Sequence, residues 1–381
     1  MYASPSSVAA NGGAPVLSAA SVSPDPSCWS GPALAASQHT WRHALTDDEL
    51  AALSHAADEA ASLPSLLDVP TQHSLPPPLP DLGRRLRDAL FRGHGLFVLS
   101  GVPVAAWGER KSASAFWLLG SMIGVAVPQN AAGHCLGHVK DAGNDASRPG
   151  TRLYTTAAAQ PFHTDSADVV GLLCLKTAAF GGASQVVSSV AVHAALEAAA
   201  PRHAATLRRP FVFDRKGEVP AGKAPTYSAP VFTVMPPSCS GGPRRVVSAY
   251  DRSFIAAAQA AGHVPPPPPL SEEQVSALDA ADAAAASDEL RLDMDLSVGD
   301  IQFLHSHTTW HARSAFHDGG NGGGARSARH LLRLWLTPAA GDAWELPPCF
   351  EERFGTVEVD GPTPRGGVRV PGAVLCAPLQ P

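Results

Sequence analysis

The segment Pro161-Phe162-His163-Thr164-Asp165-Ser166 sets an imidazole and a carboxylate two residues apart. On extended backbone, side chains at i and i+2 point to the same face. A histidine nitrogen and a carboxylate oxygen converging there supply two of the three ligands of a 2-His-1-carboxylate iron site. The pair alone is weak evidence. With 16 His and 34 Asp plus Glu in 381 residues, chance supplies about 1.4 such pairs. Context strengthens it. Gly299-Asp300-Ile301-Gln302-Phe303-Leu304 reads as a turn and a strand leading to His311, within Trp310-His311-Ala312-Arg313. Beyond it, Arg329-His330-Leu331-Leu332-Arg333-Leu334-Trp335-Leu336 reads as an apolar strand carrying two arginines. A guanidinium fork grips a carboxylate bidentately and stays charged when buried, so Arg329 or Arg333 suits an acidic cosubstrate.

Two alternatives stand beside this set. Asp168 is a rival carboxylate, but its odd offset from His163 sends it to the opposite strand face. His305-Ser306-His307 precedes His311, and His305, His307 and His311 share strand parity, so spacing alone does not choose the distal imidazole. The bland reading has His163 packing in a core and Asp165 capping a turn. It is the better one for the lone pair and the poorer one for the assembled set.

Metal ligands need rigid strands behind them. Val169-Val170-Gly171-Leu172-Leu173-Cys174-Leu175 is an unbroken apolar run of strand length directly after the pair. Gly181-Gly182-Ala183-Ser184 makes a turn, and Gln185 to Ser189 a further strand. Phe211 to Val247 alternates short strands with Pro and Gly turns, as in a barrel or jelly roll. Helices are expected from the capping box Thr46-Asp47-Asp48-Glu49 to about Ala61, from about Asp81 to Arg92, and over Ala115 to Ile123. Others are expected over Val190 to Ala200 and from Ser271-Glu272-Glu273-Gln274 to about Ala286. The organisation expected is a disordered Ala/Ser/Pro-rich tail over 1–40, one catalytic domain over 41–360 and a flexible Gly/Pro-rich tail over 361–381.

A net charge of −6 argues against a nucleic-acid partner or an anionic membrane surface. The best membrane-helix candidate, Ser112 to Pro128, is broken by Gly120, Ser121 and Gly124 and falls short of the roughly 20 apolar residues a span needs. Six scattered cysteines without a Cys-x-x-Cys point to a reducing compartment and incidental thiols. The expected location is therefore the cytoplasm. The Ser-rich N-terminus leaves an organellar address open, although its first Lys or Arg is Arg42.

Taken together, Phe162-His163-Thr164-Asp165-Ser166-Ala167-Asp168, Gly181-Gly182-x-Ser184, Gly299-Asp300-Ile301, His311-Ala312-Arg313-x-Ala315-Phe316 and the Arg329 to Leu336 strand resemble the taurine dioxygenase-like (TauD/TfdA) family over roughly residues 41 to 355. The resemblance implies an α+β fold whose core is a double-stranded β-helix (jelly roll) with flanking helices. It implies that His163, Asp165 and His311 hold Fe(II), with His307 in a supporting role. It assigns Arg329 to the 5-carboxylate of 2-oxoglutarate with Ser184 as helper, and sets Arg333 deeper or toward the substrate. The implied reaction turns 2-oxoglutarate and O2 into succinate and CO2 while a small-molecule substrate is hydroxylated. One departure is the 18-residue interval from His311 to Arg329, which Gly319 to Gly324 lengthens as a loop-like insertion. The rival from another class is a non-catalytic jelly-roll binding protein. An oxidative halogenase would need the coordination position that Asp165 fills. Ala157 to Gln160 and Phe211 to Val247 carry no recognisable substrate code, and a homo-oligomer is left open.

Overall fold

The strand His330–Pro338 is buried along its whole length. A strand covered on both faces reads as a continuous apolar run, which is how Leu331 to Leu336 reads. In the computed structural model, which describes residues 25–381 apart from 71–74, 149, 237–244, 261, 320–328, 360, 362 and 381, this strand pairs with Val169–Lys176 on one side. On its other side lie Gly124–Ala126 and Leu136–Val139. Outward from Val169–Lys176 come Ile301–His305, Leu96–Ser100 and Arg42–Ala44, the last pair parallel and the others antiparallel. A smaller antiparallel sheet runs Leu292–Met294, Ser184–Ser188, Thr309–Arg313, Gln160–His163. The two sheets pack through Leu96, Val98, Val170, Leu304 and Trp335 on one side and Val186, Leu292 and Met294 on the other. This is the jelly-roll core of an α+β fold.

Period-two alternation decides what each sheet shows to the interior. On His330–Pro338, Leu332, Leu334 and Leu336 face an outer core shared with helices Asp47–Ser62, Leu79–Phe91 and Val104–Ser121. Burying each of these leucines stabilises by roughly 1.5–3 kcal/mol. Arg333 and Trp335 therefore face inward, as does Arg329 just ahead of the strand. Helices Ser189–Ala199, Pro201–Leu207 and Glu272–Ala286 cover the smaller sheet in the same way. The capping box at Thr46 forms in full: Glu49 N–H donates to Thr46 Oγ1 and Thr46 N–H to Glu49 Oε2. The helix expected at Ala115 begins earlier, at Val104, and is interrupted where Gly108 takes φ +70°. Among the described residues, no helix is long and apolar enough to cross a membrane.

Both ends carry contacts that the sequence does not announce. Residues 25–40 are packed: Trp29 and Leu34 are buried, and Gly31 N–H donates to the Leu290 carbonyl. Two apolar anchors in an Ala/Pro-rich stretch are too sparse to register as periodicity. Residues 1–24 lie outside the described residues. The segment expected to be flexible after 360 is a strap across the domain. Gly367 N–H donates to the Ser166 carbonyl, Val368 N–H to Pro128 and Cys135 N–H to Cys376, each at 2.7 Å, and Arg365 is fully buried. Gly and Pro there serve a tightly routed strap rather than a loose tail. Beyond Gly319, the glycine insertion lies outside the described residues.

Candidate active site

His163 ends the strand Gln160–His163 and faces His311 across the ladder, with ring centroids 4.1 Å apart. Beyond that strand the chain is held in place. Thr164 N–H donates to the Tyr250 carbonyl and Arg353 Nη2 to the Thr164 carbonyl, each at 2.7 Å. Asp165 thus returns to the imidazole face, Oδ1 lying 3.9 Å from His163 Nε2 and Oδ2 3.9 Å from His311 Nε2. One ligand atom from each residue falls within 4.8 Å of the other two.

The protonation states suit a metal. His163 Nδ1–H donates to the Pro161 carbonyl at 2.9 Å, which leaves the lone pair on Nε2. The Gln160 amide caps that lone pair at 2.8 Å. Burial pushes His311 down to about 3, so its imidazole is neutral. Burial by itself would raise the Asp165 carboxyl. The Arg333 guanidinium, 3.5 Å from Oδ1, outweighs that together with the two imidazoles and holds it well below the usual carboxylate range. Among the described residues Asp165 Oδ2 is buried without a hydrogen-bond partner, a costly state unless something binds it. Two neutral nitrogens, one ionised carboxylate and one orphaned oxygen fit a divalent iron.

Arg333 stands between two cavities that both reach His163. Ser184, His311, Arg313, Arg329 and Leu331 line one of them. There the guanidiniums of Arg313 and Arg329 lie over the Phe316 ring, 4.8 and 5.2 Å from its centroid. Arg313 Nη2 donates to the carbonyls of Thr156 and Ala158, while its Nε and Nη1 are buried without a partner among the described residues. Burial and the Arg329 charge push Arg313 down to about 10. Gly182 has φ +76°, and a Cβ there would stand 2.8 Å from Arg329 Nε, so this position needs glycine. Ser184 Oγ accepts from Gln302 Nε2 at 3.2 Å.

The other cavity is lined by Lys216, Asp251, Ser253, Phe254 and Arg353 together with His163, Asp165 and Arg333. Lys216 has φ +49°, and among the described residues it is the one non-glycine with positive φ. Asp214 holds this turn by accepting the Lys216 N–H. Lys216 Nζ donates to Ser253 Oγ at 3.1 Å, and among the described residues it has no carboxylate in ion-pair contact. Arg353 likewise spends its Nη donors on Thr164 and the Tyr227 hydroxyl. The cavity therefore carries positive charge that its own walls do not neutralise.

The rivals for the metal pair with each other instead. His307 Nε2 lies 3.1 Å from Asp168 Oδ1, and Arg365 Nε lies 3.1 and 3.0 Å from the two Asp168 oxygens. Strand parity across residues 305 to 311 fails because the chain reverses at 306–308. His305 ends a strand of the larger sheet, whereas His311 belongs to the smaller one. His305 packs against Phe91 and Trp344. Sequence reasoning gave no role to Gln160, Arg313, Lys216 or Arg353. Arg313 was findable, since two residues from His311 it must share that face. Lys216, on the turn Asp214-Arg215-Lys216-Gly217, had no comparable signal.

Comparison with known proteins places this arrangement. Residues 63–335 match the family described as Taurine catabolism dioxygenase TauD, TfdA family. The chain belongs to this family. As a member of the TauD/TfdA family it is an Fe(II)- and 2-oxoglutarate-dependent dioxygenase. It is 31% identical to FR-33289 synthase of Streptomyces rubellomurinus over 250 residues, 65% of this chain and 70% of that protein. It is 30% identical over 192 residues to a taurine hydroxylase-like protein of Stachybotrys chartarum, covering 49% of this chain and 44% of the fungal one. Among solved structures, asparagine oxygenase in complex with Fe(II), 3-hydroxyasparagine and succinate superposes with TM-score 0.56 at 15% identity, over 78% of this chain and 93% of that one. The non-heme iron oxygenase OrfP with Fe and alpha-ketoglutaric acid gives 0.55 at 17%, over 78% and 94%. At those identities the likeness is one of fold.

Proposed function

We propose that His163, Asp165 and His311 hold the iron and that 2-oxoglutarate occupies the cavity walled by Ser184, Arg313 and Arg329. The substrate, a small polar molecule with an acidic group, then fills the cavity bearing Lys216 and Arg353. The observation that carries this reading is the orphaned Asp165 Oδ2, converging with two imidazoles where two cationic cavities meet. Iron held there would relay electrons to O2, two from the oxidative decarboxylation of 2-oxoglutarate to succinate and CO2 and two from the substrate C–H bond, which gains the second oxygen atom as a hydroxyl.

The protein's own groups do the positioning. Arg313 and Arg329 offer guanidinium N–H donors to the carboxylate remote from the metal, and their apolar floor of Phe316 strengthens that charge pairing by lowering the local dielectric. Arg333 keeps Asp165 ionised and is itself fixed by Nε donating to Gln129 Oε1 at 2.7 Å. Lys216 presents a cationic donor to the substrate, and Arg353 adds positive charge to the same wall. Hydroxylation as the outcome is supported by relatives of the same fold, one crystallised with 3-hydroxyasparagine and another with (3S)-hydroxy-L-Arg. The cytoplasm is the location this reading assumes.

The test is anaerobic titration of the iron-loaded protein with 2-oxoglutarate, followed by its metal-to-ligand charge-transfer band. A screen of carboxylate, sulfonate and phosphonate metabolites for oxygen-dependent succinate release then follows. A charge-transfer band that never forms would sink the cosubstrate assignment. Stimulation only by uncharged compounds would sink the acidic-substrate assignment.

A further inference from the structure

On the opposite, helix-covered face of the larger sheet, Glu109, His138 and His330 bring a carboxylate oxygen and two imidazole nitrogens within 4.8 Å of one another. His330 shares strand parity with Leu332, Leu334 and Leu336 and so points away from the catalytic triad. His138 comes from the neighbouring strand, opposite Leu332. Glu109 comes from the helix Val104–Ser121, directly after its break at Gly108.

The hydrogen bonding prepares this cluster for an ion. His138 Nε2–H donates to the Pro378 carbonyl at 3.0 Å, which puts its lone pair on Nδ1. That Nδ1 faces His330 Nε2 at 2.8 Å. Burial pushes His138 down and His330 down to about 4, so both rings are neutral. Two neutral imidazoles so placed share a single proton between facing nitrogens. A divalent ion takes that proton's place, and His330 then carries its proton on Nδ1. A backbone carbonyl behind a ligating histidine is a common way to fix tautomer and ring orientation.

We propose that Glu109, His138 and His330 form a second divalent-metal site, of the zinc class, separate from the catalytic iron. Two imidazoles and one carboxylate suit Zn(II), Co(II) or Ni(II), whereas Mg(II) and Ca(II) want all-oxygen shells. Lys140 and Lys176 are near enough to lower the proton affinity of His330. They oppose a hard cation held by charge alone, so the site selects ions that bind imidazole strongly. Through Pro378, a bound ion fastens the C-terminal strap to the sheet and helix beneath it.

The test removes the catalytic site first. The His163→Ala/His311→Ala protein, full length, is equilibrated with Zn(II), passed through gel filtration and assayed for metal by mass spectrometry. One equivalent of zinc is expected to remain. Adding Glu109→Gln and His138→Gln should reduce it to less than about a tenth, beyond the roughly 10–100-fold range of losing a mere supporting partner. Glu109 is exposed, so Glu109→Gln alone tests the site without risk to the fold, and it should weaken zinc at least about tenfold. In parallel, zinc should slow carboxypeptidase trimming of the strap. Absence of bound zinc in the first variant overturns the proposal, as does zinc that persists at full stoichiometry after Glu109 and His138 are changed.

Discussion

Two buried clusters in this protein use the same residue types and interleave in sequence, yet one is open to chemistry and the other is an anchor. His163, Asp165 and His311 sit where two cavities meet, with a carboxylate oxygen that has no hydrogen-bond partner among the described residues. Asp168 and His307 begin only a few residues away, but Arg365 saturates both Asp168 oxygens and the side chains are 0% exposed. The difference lies in partners and not in composition. A metal centre is marked by donor atoms left unsatisfied beside open space, at a free-energy cost the bound ion recovers. The same donors given partners tie distant chain segments together, here the C-terminal strap to the strand region that carries His163 and His311.

That contrast is broken most directly by exchanging the losses. Asp165→Ala should abolish iron retention and succinate formation with a smaller loss of stability than Asp168→Ala, because Arg333, 3.5 Å from the lost Oδ1, keeps its hydrogen bond to Gln129 Oε1. Iron affinity, by equilibrium dialysis under anaerobic conditions, should fall well beyond the roughly 10–100-fold cost of losing a supporting partner. Asp168→Ala should do the reverse. It leaves Arg365 charged, buried and unpaired, a loss of roughly 3–5 kcal/mol in denaturant unfolding, with iron still bound by the folded fraction. An Asp168→Ala protein of normal stability would show that the anchor is ornamental.

Acid gives the same comparison a second reading. Burial alone would raise the Asp168 carboxyl, but the His307 N–H and the Arg365 guanidinium hold it down to about 2. The unfolded value is about 3.9, so the folded pKa is depressed. The stabilisation is then complete above the unfolded value and is lost as pH falls through the folded one. Unfolding followed from about pH 4 to pH 2 should be steeper in the parent than in Asp168→Ala. Parallel curves would mean that this carboxyl is not the group responsible.

How far the sequence could be read follows from the same physics. The His163/Asp165 pair, the apolar strand behind it and the two arginines on one strand face were legible because period-two alternation is local. Choosing among His305, His307 and His311 was not, because parity presumes one continuous strand and the chain turns over at 306–308. The anchoring of the segment after 360 was illegible for a related reason: Arg365 is an anchor only because Asp168 lies beneath it, 197 positions away in the chain. Lys216 is placed by a turn with positive φ, which its own residue type does not announce.

The two cavities invite a finer division. Arg329→Leu should raise the 2-oxoglutarate concentration needed for the charge-transfer band by about 100-fold or more, leaving iron affinity nearly unchanged. Should Arg313→Leu abolish that band while Arg329→Leu spares it, the neighbouring guanidinium is the principal grip. Lys216→Met should leave iron and 2-oxoglutarate binding intact. It should raise the substrate KM roughly 10- to 100-fold, as loss of a charged hydrogen bond worth about 1.5–3 kcal/mol requires. A Lys216→Met enzyme impaired instead in 2-oxoglutarate binding would show that the cavities were assigned the wrong way round.

The smallest effect belongs to Ser184→Ala, and it tests whether the cosubstrate cavity works through charge or through neutral hydrogen bonding. Ser184 stands opposite Arg313 in the ladder, and its hydroxyl already accepts from Gln302 Nε2 at 3.2 Å. One neutral hydrogen bond contributes about 0.5–1.5 kcal/mol net, so the 2-oxoglutarate requirement should rise only about 2- to 10-fold. Removing the hydroxyl also leaves the Gln302 amide to the Met294 sulfur, 2.9 Å away, as its remaining buried acceptor. The variant should therefore lose a little stability as well. Ser184→Val, which fills the space without the hydroxyl, separates the two contributions. If binding falls to the same extent in both variants, the hydroxyl itself is what 2-oxoglutarate feels. If Ser184→Ala alone is harmless and Ser184→Val is not, the position matters for its size, and the guanidinium pair provides the whole of the recognition.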